Sequence, residues 1–210
     1  MLDSPRHLLS SFSEGIQQES SLVRSPESIS GRPILDIVLA VAREAGAIAQ
    51  NRFYTTKEVS LKRDASLVTD VDVQCERHVR DALAAEFPKV GFLGEESGLS
   101  GSPDGIRWIV DPLDGTRNYV AGLPHFAVSL ALADGPDVLL GVTYDPMRDE
   151  MFHAVKGQGA YLNSVPILVT RRTSVAECLF GLDIGGINGR SLSALKLVES
   201  PWPNMQSVRV

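Results

Sequence analysis

A layered α/β fold, with helices packed on a largely antiparallel or mixed sheet, is predicted by two observations. Apolar residues recur at three- and four-residue spacing over residues 33–53 and 69–87, and from residue 90 onward short runs rich in β-branched and aromatic residues take over. Two helices followed by a series of strands bury their apolar sides most simply by stacking the helices on the sheet. A chain of 210 residues, 43% of them hydrophobic and 22% charged, is long enough for one substantial domain of this kind.

The elements follow in order. Residues 1–31 are rich in Ser, Glu and Gln and are interrupted by Pro5, Pro26 and Gly31. So little apolar surface does not offset the entropy of ordering, so a mobile extension is expected there and a folded domain over residues 32–210. Ile34, Leu35, Val38, Leu39, Ala42, Ala45 and Ala49 then predict an amphipathic helix to about Phe53, with Pro33 suited to its first turn. A polar stretch with Lys62, Arg63 and Asp64 leads into Leu67-Val68-Thr69-Asp70, where Thr69 or Asp70 can cap a second helix. Its stripe is Val71, Cys75, Val79, Leu83 and Phe87, and Pro88 ends it. Strands are expected at residues 90–93, 106–110, 126–133, 138–144 and 151–155, with a turn at Gly157-Gln158-Gly159. A strand at 178–182, a helix at 191–199 and the opening of a strand at 207–210 complete the chain. No partner segment follows that last strand, which suggests an incomplete chain.

A formal charge of −6 argues against nucleic acid, which requires a dense cationic face. Cys75 and Cys178 have no CxxC spacing and read as buried thiols of a reducing compartment. No apolar run reaches the roughly 20 residues of a membrane span. The apolar stretch after Arg6 is too short for a signal peptide, and Glu14, Glu19 and Glu27 do not suit a mitochondrial presequence. A cytoplasmic location is therefore expected. His7, His78, His125 and His153 lack zinc-ligand spacing, the Gly157–Gly159 turn lacks the third glycine of a dinucleotide loop, and Ser129 lacks a G-x-S-x-G setting.

The chemistry concentrates in Trp108-Ile109-Val110-Asp111-Pro112-Leu113-Asp114-Gly115-Thr116-Arg117-Asn118-Tyr119. Asp111 falls where a buried strand is expected to end, at Pro112. Asp114 follows three residues later, across a turn that can bring both carboxylates to one side. Gly115 allows close backbone approach to a ligand, and Thr116 can open a short helix whose N–H groups face an anion. Carboxylates beside an anion site suit magnesium, which shares its octahedral shell among carboxylates, waters and phosphate oxygens. A bare D-x-x-D-G is as readily a turn with a helix cap; the apolar strand before it favours the metal. Gly94-Glu95-Glu96-Ser97 also follows an apolar strand. Alone it reads as an exposed acidic loop, but beside Asp111 and Asp114 it reads as a source of one more ligand, since only one of the two glutamates can point the way Asp111 does.

The string Asp111-Pro112-Leu113-Asp114-Gly115-Thr116, followed by Asn118-Tyr119, resembles the signature of the inositol monophosphatase family of magnesium-dependent, lithium-sensitive phosphatases. Gly94-Glu95-Glu96-Ser97 resembles that family's upstream acidic motif, and Leu67-Val68-Thr69-Asp70-Val71-Asp72 its L-V-T-x-x-D segment. Residues 123–129 and 144–150 look most like bacterial members, and the resemblance covers roughly residues 33–210. It implies the layered phosphatase fold shared with fructose-1,6-bisphosphatases and two or three Mg2+ ions. Glu95, Asp111 and the Leu113 carbonyl would take a first ion, Asp111 and Asp114 a second, and Glu95 would share in a third. Gly115 and Thr116 N–H groups, with Asp114, would bind the substrate. Thr116, hydrogen-bonded by Asp72 and helped by Glu95, would activate the attacking water, while Lys62 and Asp64 match a loop that closes over the site. The implied substrate is myo-inositol monophosphate, with fructose-1,6-bisphosphate, histidinol phosphate or an inactive remnant acting as an interaction module as the alternatives, and a homodimer is the implied assembly.

Two departures stand out. Arg117 replaces a small residue and is expected to face solvent. The family's second signature, W-D-x-A-A-G, has no counterpart, because Trp202 is followed by Pro203. The fold is therefore expected to be C-terminally incomplete, and weak turnover or none is expected for these 210 residues alone.

Overall fold

The computed structural model describes residues 26–63, 66–101, 105–181, 196 and 207–209. The chain divides into two compact units between Ile167 and Leu168.

The first unit opens with Ile29 N–H donating to the Glu86 carbonyl (3.0 Å) and Ser30 N–H donating to the Glu86 carboxylate (3.1 Å). Residues 1–25 lie outside the described residues. Helix α1 (Ile34–Arg52) buries Ile37, Val38, Val41, Ala42, Ala45, Gly46 and Ala49. The small residues let the helix approach closely: a Cβ on Gly46 would lie 2.6 Å from the Tyr144 ring. Strands β1 (Val59–Leu61) and β2 (Leu67–Thr69) form an antiparallel ribbon that leads directly into helix α2 (Asp70–Glu86).

The start of α2 is fixed by a capping box. Thr69 Oγ1 accepts from the Val71 and Asp72 N–H groups, and Asp72 Oδ2 accepts from Thr69 N–H at 2.9 Å. The expected stripe Val71, Cys75, Val79, Leu83 and Phe87 is buried throughout. Burial, aided by the charge of Asp72, pushes the Cys75 thiol up to about 12, so this cysteine is unreactive. Two carboxylates, Asp72 and Glu76, are also buried on α2, which is rare unless such groups are paired. Replacing Thr69 with Ala is expected to cost about 0.5–2 kcal/mol of stability. Thermal unfolding followed by circular dichroism checks this, and an unchanged midpoint would show that the cap is not needed.

Among the described residues, eight strands form one mixed sheet in the order β10-β9-β8-β7-β6-β5-β3-β4. They are β3 (Gly91–Gly94), β4 (Gly98–Ser100), β5 (Ile106–Asp114), β6 (Ala127–Asp134), β7 (Asp137–Asp145), β8 (Glu150–Val155), β9 (Ala160–Leu162) and β10 (Val165–Ile167). Only β3 and β5 run parallel; the other neighbours are antiparallel. Both helices pack on one face, over a core that includes Trp108, Val110, Val128, Leu130, Leu132 and Val142. The opposite face carries Ile109, Asp111, Ser129, Thr143 and Phe152 around a shallow hollow of about 450 Å3. A short helix, α3 (Thr116–Val120), follows β5, and Tyr119 Oη donates to the Ala49 carbonyl at 2.7 Å, tying it to α1.

The two helices expected before residue 90 and the five main strands are present. Three features depart from expectation. First, β5 does not stop at Pro112 but continues to Asp114 across a register shift between Asp111↔Ser129 and Asp114↔Ala127. Proline removes one donor, and the irregular pairing absorbs that loss. Second, β12 (Ser207–Arg209) in the second unit has a partner after all, pairing in parallel with the upstream β11 (Leu179–Gly181). Third, Cys178 is only half-buried, its thiol donating to the Ser174 carbonyl at 3.3 Å. Apart from residue 196, the expected helix at 191–199 lies outside the described residues, as does Asp64. No helix among the described residues is long and apolar enough to cross a membrane.

Candidate active site

The parallel pairing of β3 with β5 places the two acidic strand ends side by side. Gly94 is in register with Val110, and Glu95 N–H donates to the Val110 carbonyl at 3.0 Å. Glu95 and Asp111 are thus the next residues along adjacent strands. Asp111 is pushed up to about 8, first by partial burial, then by the charge of Glu95 and a shared hydrogen bond with it, then by the charge of Asp114. The Leu113 N–H, 3.2 Å from Asp111 Oδ1, works in the opposite direction but is outweighed. Three carboxylates therefore converge here with too little positive charge between them.

The irregular end of β5 positions the next group. Gly115 has φ +98°, and a Cβ there would lie 3.0 Å from the His125 carbonyl. The close approach that requires glycine is thus made by the chain's own 125–126 segment. Beyond it, Thr116 Oγ1 lies 2.9 Å from Asp72 Oδ1 and 3.1 Å from the Leu113 carbonyl, so its single proton is shared between two acceptors. Asp72 Oδ2 is occupied by the Thr69 N–H and hydroxyl, the latter at 2.5 Å. The helix cap thereby aims Oδ1 at Thr116.

Lys62 closes the site from the β1–β2 side, with Nζ 2.8 Å from both Glu95 Oε1 and Glu96 Oε1. Burial works to lower its affinity for a proton, but the two glutamates outweigh it and hold the ammonium above its ordinary range. Strand alternation does not separate the two glutamates as expected, because β3 ends at Gly94 and residues 95–97 form a turn. Arg117 is exposed, as anticipated. As placed, no three His, Cys, Asp or Glu side chains among the described residues are closed into a metal-ligand cage.

The sequence-selected residues Asp72, Glu95, Asp111, Leu113, Asp114, Gly115 and Thr116 thus fall at the ends of β3 and β5 and the start of α2 and α3. Sequence reasoning missed Glu76 and Arg80. Glu76 Oε2 accepts Glu96 N–H at 2.7 Å, Oε1 accepts Ser97 N–H at 3.0 Å, and Arg80 Nη2 donates to Oε1 at 2.6 Å. The available signal was the spacing of Asp72 and Glu76, four residues apart beside the apolar stripe of a helix.

The model of the inositol monophosphatase family matches residues 31–192. Over 155 residues the chain is 39% identical to inositol monophosphatase 1 of Solanum lycopersicum, covering 72% of this chain and 57% of that protein. Over 134 residues it is 41% identical to Nus factor SuhB of Escherichia coli (strain K12), covering 62% of this chain and 50% of that one. The chain spans little more than half the length of the curated relatives it matches. Among solved structures, the extragenic suppressor protein suhB of Bartonella henselae superposes with a TM-score of 0.77 at 32% identity, covering 83% of this chain and 68% of that one. The inositol monophosphatase of Anabaena superposes with a TM-score of 0.65 at 30% identity, covering 83% and 65%.

Proposed function

From the premise that this chain belongs to the inositol monophosphatase family, we propose that it contributes the catalytic carboxylates of a magnesium-dependent phosphatase acting on a small phosphate monoester, myo-inositol monophosphate foremost. The observation that carries the reading is the convergence of Glu95 and Asp114 on Asp111, which leaves Asp111 holding a proton up to about pH 8. An all-oxygen donor set with an excess of negative charge fits a hard divalent cation. Glu95, Asp111 and the Leu113 carbonyl would hold a first magnesium ion, Asp111 and Asp114 a second, and Glu95 would share in a third. Lys62 must then release Glu95, which it holds as placed. Bound magnesium would supply Lewis acidity toward the phosphate and acidify a water molecule.

The chain's own residues do the rest. Thr116 Oγ1 directs its proton toward Asp72 Oδ1, which leaves its lone pairs open to accept a proton from an attacking water. As Thr116 accepts, Asp72 takes the hydroxyl proton, and Thr69 keeps Asp72 from turning away. Glu95 assists in deprotonating the water. Gly115 and Thr116 N–H groups, with Asp114, orient the phosphate ester. In the same reading residues 32–210 form the catalytic region behind an extension at 1–31, the protein is a cytoplasmic homodimer, and lithium inhibits it.

The test is phosphate release from inositol 1-phosphate, fructose 1,6-bisphosphate and histidinol phosphate across a magnesium titration. Magnesium-dependent release fastest from inositol 1-phosphate is expected. Full activity in chelator would remove the metal from the reaction, and faster release from either rival would reassign the substrate. Calorimetry gives a further prediction. Because Asp111 is largely protonated at pH 7, magnesium binding should release a proton, so the observed heat should vary with the ionisation enthalpy of the buffer and the affinity should rise as pH approaches 8. A heat independent of buffer would contradict this.

A further inference from the structure

We propose that Glu76 is a positioning residue for Glu95: its buried carboxylate clamps the turn at residues 95–97 and thereby sets the affinity of the site for a divalent cation. This deepens the metal-site reading above and rests on it.

The Glu76 side chain is only 3% exposed, yet it sits on the face of α2 toward the sheet, where an apolar residue such as its neighbours Cys75 and Val79 would fill the space at lower cost. Its carboxylate is fully used. It accepts the consecutive N–H groups of Glu96 and Ser97, and Arg80 pairs with it one helical turn later. The same Arg80 Nη2 donates to Ser97 Oγ, and the guanidinium lies 5.0 Å over the Phe92 ring, so the cation is fixed as well. Space has been kept for this carboxylate: a Cβ on Gly94 would sit 2.5 Å from the Glu76 carboxyl carbon. Gly94 does not have a positive φ, so close approach to Glu76, not backbone conformation, accounts for its lack of a side chain.

Glu95 is consequently held from both sides. Its own N–H is bound to Val110 on β5, and the next two N–H groups are bound to Glu76 on α2. With the backbone fixed at three successive amides, the Glu95 side chain departs beside Asp111. The hydrogen bonds of Glu76 go to Arg80, Glu96 and Ser97, so it acts on the site through the turn that carries Glu95.

The full chain is tested with Mn2+ as the probe, free ion being counted by electron paramagnetic resonance. Glu76→Gln presents an amide NH2 to a pocket built of N–H donors, so one of the clamping bonds is lost. Mn2+ affinity should fall about 10- to 100-fold, as for other residues that orient a metal ligand from behind. Turnover at saturating metal should fall by less than the Mn2+ affinity does, because bound metal itself draws Glu95 into place. Gly94→Ala, which displaces the carboxylate sterically, should give the same shift. Unchanged Mn2+ affinity in folded Glu76→Gln would overturn the proposal. Absence of Mn2+ binding by the wild-type chain would overturn the metal-site reading, and this proposal with it. Should both variants fail to fold, hydrogen exchange of the wild-type protein decides: Glu96 and Ser97 amides as labile as those of a solvent-exposed turn would overturn the clamp, and protected amides support it.

Discussion

Replacing Asp111 with Asn is expected to lower turnover by about 10³-fold or more, while the metal-free protein becomes more heat-stable at alkaline pH. The two effects share one cause. Asp111 is proposed to serve both of the first two ions, and loss of several kcal/mol of charge stabilisation corresponds to about three powers of ten in rate. Without metal, the same carboxylate is a burden, because burial, Glu95 and Asp114 raise it from an ordinary 3.8 to about 8. The folded state therefore binds more protons than the unfolded state between about pH 4 and pH 8, and folding stability must fall as pH rises through that window. Asn cannot ionise, yet its side-chain oxygen can still accept the Leu113 N–H. In chelator, the wild type should melt lower at pH 9 than at pH 6, and the Asn variant should lose that part of the difference. For a chain of this size each kcal/mol shifts the midpoint by about 2–4 °C, which is within easy measurement. Equal pH dependence in the two proteins would mean that Asp111 does not carry the strain.

Asp72→Asn is expected to reduce turnover by about 10²- to 10⁴-fold, the usual range for loss of a general base, with little change in metal affinity. The substitution keeps an oxygen for the cap at Thr69 but turns an NH2 group toward Thr116 Oγ1. Thr116 would then accept where it now donates, and the route for its proton would be closed. The readout is turnover against metal concentration: the half-saturating concentration should hold while the plateau drops. A plateau within twofold of the wild type would remove Asp72 from proton transfer. Together with Asp111→Asn this separates a base from a ligand, since the Asp111 variant should lose metal as well as rate.

What was legible in the sequence and what was not follows from the range of the forces involved. The α2 stripe and its cap are local, so Val71, Cys75, Val79, Leu83 and Thr69 announced themselves by spacing alone. The acidic strings at residues 94–97 and 111–116 were ambiguous taken singly, as a loop and a turn, and became legible only beside each other and beside the apolar strands before them. The β1–β2 ribbon was missed for the opposite reason. Its strands are three residues long and β1 is exposed throughout, so no buried face imprints a period. The neighbouring of β3 and β5 and the reach of Lys62 to both glutamates depend on pairings between distant segments, which no window records. The register shift at Pro112 was half-visible: proline marked the disturbance but not the way the strand would absorb it. Glu76 was hidden because its partners, the Glu96 and Ser97 amides, lie 20 and 21 residues further along the chain, and nothing local sets a buried acid beside a helix stripe apart from a solvated one.

The hydrogen bond from Thr116 to Asp72 joins residues 44 positions apart, whereas the cap that orients Asp72 spans only three. During folding the cap can close with the first turns of α2, well before β3, β5 and α3 arrive. Asp72 is therefore aimed before its partner exists, and the repulsion around Asp111 arises only when the parallel strands dock. A cation selective for the assembled site has nothing to hold in the earlier species. It would act chiefly by slowing unfolding, leaving the rate of folding nearly as it was.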